Sequence, residues 1–228
     1  MDWWLYRRLP GLYSTNNRIG LLFDIIDFMD IYLIRHTKPA IEIGTCYGQA
    51  DLDVVESFED EAHCIQQHLP RNIEAVYSSP LKRCRQLAEH LFPEHDIQFD
   101  DQLKEINCGE WELKQWDSID QQLLKSWMSD FVNVTIPGGE SYTHLFHRTT
   151  SFFQSLPSHH SSIAIVSHGG VLRSILSYIN KVELKQSFDV IKLFYGCVVR
   201  LKKENESFTH AVLHNPPVEK EQHRPSYY

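Results

Sequence analysis

Two short apolar runs, Ile31-Tyr32-Leu33-Ile34 and Ile163-Ala164-Ile165-Val166, end in polar clusters that each carry a histidine, Arg35-His36-Thr37 and Ser167-His168-Gly169. Continuous apolar runs rich in β-branched residues are the mark of strands buried on both faces, and such strands occur in parallel sheets covered by helices. In an open sheet of that kind, ligands bind in the crevice outside the carboxyl ends of the strands. Both imidazoles and the Arg35 guanidinium are therefore expected in one crevice, an arrangement suited to a phosphoryl group.

The remaining sequence alternates in the manner of βα units. Val55, Phe58, Ala62, Ile65 and Leu69 recur at helical spacing, and Ile73 to Tyr77 reads as a strand. Ser79 is read as a helix N-cap and Pro80 as the first residue of a helix reaching about Phe92. Pro137-Gly138-Gly139-Glu140-Ser141 punctuates the middle, and Leu145, Thr149, Phe152 and Leu156 again mark a helix. The strand from Ile163 is followed by a Gly169-Gly170 turn and a helix through Val171 to Ile179. Leu193 to Leu201 and Ser207 to Leu213 read as an antiparallel hairpin at the sheet edge, joined by the polar turn Lys202 to Glu206. No internal repeat of solenoid type is present.

The expected fold is a single α/β domain over residues 29–214. It is a three-layer αβα sandwich with a mostly parallel sheet and an antiparallel edge strand. Residues 1–28 read as an extension or a mis-set start, because Met29-Asp30 immediately precedes the first strand. Arg7 and Arg8 precede an apolar stretch, Ile19 to Met29, that Asp24 and Asp27 interrupt, which makes neither a signal peptide nor a membrane span. Trp3, Trp4 and Tyr6 mark either a partner surface or an unselected extension, and residues 215–228 read as a flexible tail.

Composition narrows the partners. A formal net charge of −8 argues against nucleic acid, which needs a basic footprint to displace counterions. A small phosphorylated metabolite needs only a local cluster of arginines. The five cysteines are scattered and lack a CxxC pair, so a reduced, cytoplasmic setting is expected. Neither a membrane partner, a metal nor a cofactor is expected, and a homodimer is left open.

A neutral histidine can attack phosphorus and form a phosphohistidine, which splits one transfer into two easier steps. The oxygens of the transferred group need fixed cations and donors, and arginine offers a permanently charged planar fork. Backbone N–H groups at Gly169 and Gly170, opening a helix, would add an anion-binding end. In the 80–92 helix, Arg83 and Arg85 flank the apolar face of Leu81, Cys84, Leu87, Ala88 and Leu91 almost equally, so periodicity leaves both open.

Five motifs occur in order: Ile-Arg-His-Thr at 34–37, Tyr-Ser-Ser-Pro-Leu-Lys-Arg at 77–83, Leu-Lys-Glu-Ile with Gly-Glu-Trp-Glu across 103–112, Pro-Gly-Gly-Glu-Ser at 137–141, and Val-Ser-His-Gly-Gly at 166–170. Together they resemble the histidine phosphatase superfamily, which includes the cofactor-dependent phosphoglycerate mutases. The resemblance implies that His36 is phosphorylated and that Arg35, Arg83 and His168 hold the phosphoryl oxygens, with Arg85 as the fallback for Arg83. It gives Glu105 the task of protonating the leaving oxygen and then activating water. Thr37 stands where many relatives carry glycine, and some phosphatase branches carry threonine there. The loop Gly44-Thr45-Cys46-Tyr47-Gly48-Gln49-Ala50-Asp51 resembles that of alpha-ribazole phosphatases rather than the Asn-rich loop of mutases. Thr37, Tyr47, Gly48, Gln49 and Gly169 are the expected substrate contacts.

Blander readings stand beside these. His63, His68, His90, His95, His144, His147, His159 and His160 are expected at the surface, although His159-His160 can bind a stray metal. Glu110 and Glu112 read as solvated charges, Glu140 as a first-turn residue complementing a helix dipole, and Trp111 and Trp116 as packing against an inserted helical segment. A broad-specificity sugar-phosphate or nucleotide phosphatase and a mutase are the alternative enzymes. A non-catalytic phosphate sensor is the alternative of a different class.

Overall fold

Side-chain alternation along the central strands decides how the layers form. A computed structural model describes residues 28–216, in which one six-stranded sheet is flanked by six α-helices. Strand β1 (Phe28–Arg35) lies beside β4 (Ser162–Ser167), and β2 (Ala75–Ser78) and β3 (Ile97–Phe99) continue the parallel part outward. Beyond β1, β5 (Val198–Glu204) and β6 (Ser207–His214) form the antiparallel hairpin, completing the order β3-β2-β4-β1-β5-β6. The α/β sandwich expected from the sequence is the observed fold.

Ile31 and Leu33 of β1, with Ile163 and Ile165 of β4, point to one face. There they meet Leu145 and Phe152 of α4 (Tyr142–Gln154) and Val171, Leu172 and Ile175 of α5 (Gly169–Asn180). Tyr32, Ile34, Ala164 and Val166 point the other way, onto Ala62 and Ile65 of α1 (Phe58–Gln66) and Cys84, Leu87 and Ala88 of α2 (Lys82–Leu91). A third cluster, outside the sheet, packs Cys46, Cys108, Trp111 and Trp116 with Leu124 of α3 (Gln121–Ser129). Both tryptophans are thus packing residues. A short helix α6 (Leu184–Val190) follows α5.

Several boundaries differ from the sequence reading. Helix α2 begins at Lys82, with Leu81 extended before it, and the Lys82 N–H is capped by the Asp51 carboxylate at 2.6 Å. The Ser79 hydroxyl does accept the Leu81 N–H at 3.3 Å, as a cap would, and it also lies 2.7 Å from His168 Nε2. Residues 193–197 are loop rather than strand. The Leu193 carbonyl takes the Arg35 guanidinium, and Gly196, at φ +73°, turns its N–H to the His36 carbonyl. Asn215, the first residue of the expected tail, bonds the Phe194 N–H at 2.8 Å and the Lys192 carbonyl at 2.9 Å. Residues 1–27, including Trp3, Trp4 and Tyr6, and residues 217–228 lie outside the described residues. Among the described residues no helix is long and apolar enough to cross a membrane.

Leu33 is fully buried in a central strand between two helical layers. Leu33→Ala is expected to cost about 2–5 kcal/mol through lost transfer energy and an uncollapsed cavity, read by urea denaturation. A loss below about 1 kcal/mol would contradict this packing.

Candidate active site

The site follows from strand register. Arg35 and Ser167 are partners across the β1–β4 ladder, so the next residue on each strand, His36 and His168, leaves the sheet side by side. Their ring centroids lie 5.1 Å apart, close to the roughly 4.8 Å spacing of neighbouring strands. They are the two buried histidines among the described residues, at 2% and 0% exposure. The other eight singled out in the sequence are exposed or half-buried.

His36 Nδ1 lies 2.6 Å from the Thr37 carbonyl oxygen, which can only accept, so Nδ1 carries the proton. Nε2 is then a bare lone pair, and Arg83 Nε donates to it at 3.3 Å. Burial first, then the Arg83 and Arg35 charges, hold this imidazole well below its ordinary 6.5. The same forces, burial foremost and then Arg83, His36 and Arg35, keep His168 neutral. His168 Nε2 lies 2.7 Å from the Ser79 hydroxyl. Cys84 also touches this ring, but burial pushes its thiol up to about 12, so it is no nucleophile at neutral pH.

The structure separates Arg83 from Arg85. Arg83 is fully buried, and its terminal nitrogens donate to the carbonyls of Ala50 at 2.9 Å and Gly48 at 2.7 Å. Arg85 is exposed, its guanidinium 5.0 Å from the Phe99 ring centroid. Arg35 donates to the Leu193 carbonyl and lies 4.0 Å over the Tyr195 ring, whose hydroxyl is 2.6 Å from that of Tyr47.

Glu105 enters from the loop after β3. Its Oε2 accepts the Gly170 N–H at 3.0 Å and its Oε1 accepts the Ile106 N–H at 2.9 Å. This corrects one expectation: the Gly170 N–H serves Glu105 and is not available to an external anion. A Cβ at Gly170 would overlap the Glu105 carboxylate, and one at Gly169 would press on Arg35.

The 44–51 loop also differs from its expected role. The N–H groups of Gly48, Gln49 and Ala50 are taken up by the Glu112 carboxylate at 3.0, 2.7 and 3.1 Å. Cys108 N adds a fourth bond at 3.1 Å, so Glu112 is a structural anion rather than a solvated charge. The Gln49 amide donates to the Glu105 carbonyl at 3.0 Å. Only glycine fits at 48, because a Cβ there would overlap the Ile106 carbonyl. Thr37 contributes its carbonyl to His36, and among the described residues its buried hydroxyl has no hydrogen-bond partner.

Sequence reasoning missed Arg148, whose guanidinium grips the segment carrying Glu105 and pairs with Glu140. Glu140 accordingly serves an ion pair and the Asn107 N–H at 2.9 Å rather than a helix dipole. Glu140 lies just before the N-cap of α4 and Arg148 in its middle, so no helical spacing signalled the pair. No group of three or more His, Cys, Asp or Glu residues is placed to hold a metal ion among the described residues.

Two imidazoles, two arginines and a carboxylate thus meet near the carboxyl ends of parallel strands, a set of groups able to bind a phosphoryl group. The chain belongs to the histidine phosphatase superfamily, branch 1, whose family model matches residues 31–216. It is 27% identical over 168 residues to a Hydrogenobacter thermophilus protein provisionally named phosphoserine phosphatase 2, covering 70% of this chain and 83% of that one. An Arabidopsis thaliana phosphoglycerate mutase-like protein 4 is 28% identical over 189 residues, covering 75% and 82%. Among solved structures, the alpha-ribazole phosphatase from Shigella flexneri superposes with a TM-score of 0.76 at 22% identity, covering 84% of this chain and 100% of that one.

Both folded-state imidazoles sit below 6.5, so in acid the unfolded chain binds more protons than the folded one. Their stabilising contribution is complete above pH 6.5 and is lost as pH falls below it, by up to about 1.4 kcal/mol per pH unit for each imidazole. Urea titrations between pH 8 and 5 are expected to show this slope, reduced by about half in His168→Gln. A flat profile for the wild type would contradict the neutral assignment.

Proposed function

We propose that this chain is a phosphomonoesterase that works through a phosphohistidine at His36 and needs no metal ion. The observation that carries the reading is the His36 tautomer: Nδ1–H is locked on Thr37, leaving Nε2 as an unprotonated nucleophile within reach of Arg83. Nε2 attacks phosphorus, the P–O bond to the leaving group breaks, and the leaving oxygen takes a proton from the Glu105 carboxyl group. Water then attacks the phosphohistidine, the N–P bond electrons return to Nε2, and the Glu105 carboxylate takes the water proton. Arg35, Arg83 and His168 hold the equatorial oxygens, where fixed charges act most strongly in a dry site.

For the substrate we rank alpha-ribazole 5′-phosphate first. The sequence of the 44–51 loop supports this by its resemblance to alpha-ribazole phosphatases, and Tyr47, linked to Tyr195 beside the His36 ring, offers an aromatic surface to a nucleotide-like group. The names of the relatives make phosphoserine and 3-phosphoglycerate the necessary competitors, together with sugar phosphates and nucleotides.

Wild-type protein is expected to hydrolyse p-nitrophenyl phosphate in excess chelator, to trap acid-labile phosphate on His36, and to lose turnover in His36→Ala. Arg83→Ala is expected to lower kcat/KM roughly 10²-fold, while Arg85→Ala stays within about twofold of wild type. Phosphate binding without any turnover would favour the sensor, and chelator inhibition would remove the metal-independent mechanism. If alpha-ribazole 5′-phosphate does not have the highest kcat/KM of the panel, the substrate assignment is wrong.

A further inference from the structure

The Arg148 guanidinium has five N–H groups, and each has an acceptor. Nε and one terminal nitrogen donate to the two Glu140 oxygens at 2.8 and 2.9 Å. The rest go to main-chain carbonyls: Gln102 at 2.7 Å, Lys104 at 2.6 Å and Glu105 at 2.8 Å. Glu140 closes the clasp from the other side by accepting the Asn107 N–H at 2.9 Å. The pair therefore grips the backbone immediately before, at and after Glu105. Arg148 is anchored in the middle of α4, a helix packed into the main core.

The ion pair alone accounts for two of the five donors. Three of the five donors ignore the carboxylate and fix a loop. Fixing that loop matters because a proton-transfer group must stay within hydrogen-bond reach of a reacting oxygen, and a displacement of about 1 Å is costly. Resting on the phosphatase reading above, we infer that Arg148, held by Glu140, is a positioning residue that sets Glu105 for proton transfer to the leaving oxygen and from water.

A positioning role predicts a dependence on the leaving group. An alkoxide must be protonated as it leaves, whereas p-nitrophenolate departs without a proton. In Arg148→Ala, kcat/KM for β-glycerol phosphate is expected to fall roughly 10²-fold, and for p-nitrophenyl phosphate less than about tenfold. Inhibition by inorganic phosphate is expected to be unchanged. Arg148→Lys retains the charge but not the fork, and is expected to show the same bias at intermediate size. Glu140→Gln, which keeps an acceptor for Asn107, supplies a second variant should Arg148→Ala fold poorly, and is expected to lose activity in the same order. Equal losses on both substrates in these variants would mean a merely structural clasp and would overturn the inference alone. A wild type without turnover of either ester would overturn the phosphatase reading, and this inference with it.

Discussion

The parallel ladder between β1 and β4 is the constraint on which the site depends. With Arg35 opposite Ser167, the residues that follow leave the sheet as neighbours, and no loop has to bring two buried imidazoles together. The sheet order then arranges the remaining groups. Going outward from β1, the carboxyl ends of β1, β4, β2 and β3 are followed by His36, His168, Arg83 and Glu105 in turn. A slip of one residue in the β1–β4 pairing would move one histidine relative to the other and reverse the faces of every apolar side chain on that strand. Packing on both faces therefore protects the register that the chemistry uses.

The charges in this crevice are arranged to leave room for an anion. Arg83 is fully buried, yet its hydrogen bonds go to two carbonyls and an imidazole, all neutral acceptors. A buried guanidinium usually meets a carboxylate, because an isolated charge is expensive to desolvate. Here the carbonyl dipoles offset part of that cost without cancelling the charge. The same field, added to burial, keeps both imidazoles unprotonated. Neutral imidazoles and retained positive charge are thus two consequences of one arrangement.

How much of this was legible in the sequence depends on what each residue contacts. Runs such as Ile31–Ile34 and Ile163–Val166 declare their burial on both faces, so the strands, their ends and the two histidines could be read directly. Arg83 and Arg85 could not be separated by helical period, because both flank the apolar stripe and only the neighbouring 48–50 loop distinguishes them. The short β3 and the helices α3 and α6 lacked a long periodic pattern. Residues 193–197 looked like strand because they are apolar, but Leu193 and Cys197 are buried in the main core from a loop whose main chain bonds Arg35 and His36. Glu112 and Arg148 were invisible for a different reason: all the N–H partners of Glu112 and three of the five acceptors of Arg148 are main-chain groups, which carry no sequence signal.

That last point shows how the loops around the site are made rigid. The 48–50 loop is clipped from both sides, with carbonyls of Gly48 and Ala50 on the Arg83 cation and N–H groups of Gly48, Gln49 and Ala50 on the Glu112 anion. Each clip uses the end of the peptide dipole that matches its charge. The 102–107 loop is built by the same rule, with carbonyls on Arg148 and the Asn107 N–H on Glu140. The Gln49 amide then reaches the Glu105 carbonyl and joins the two loops. A loop held through its backbone can change most of its side chains without losing its path, because the clips do not depend on those side chains. The exposed side chain of Ile43 takes no part in these clips. The framework therefore sets the backbone path beside Arg83 and Glu105 independently of what the loop side chains are.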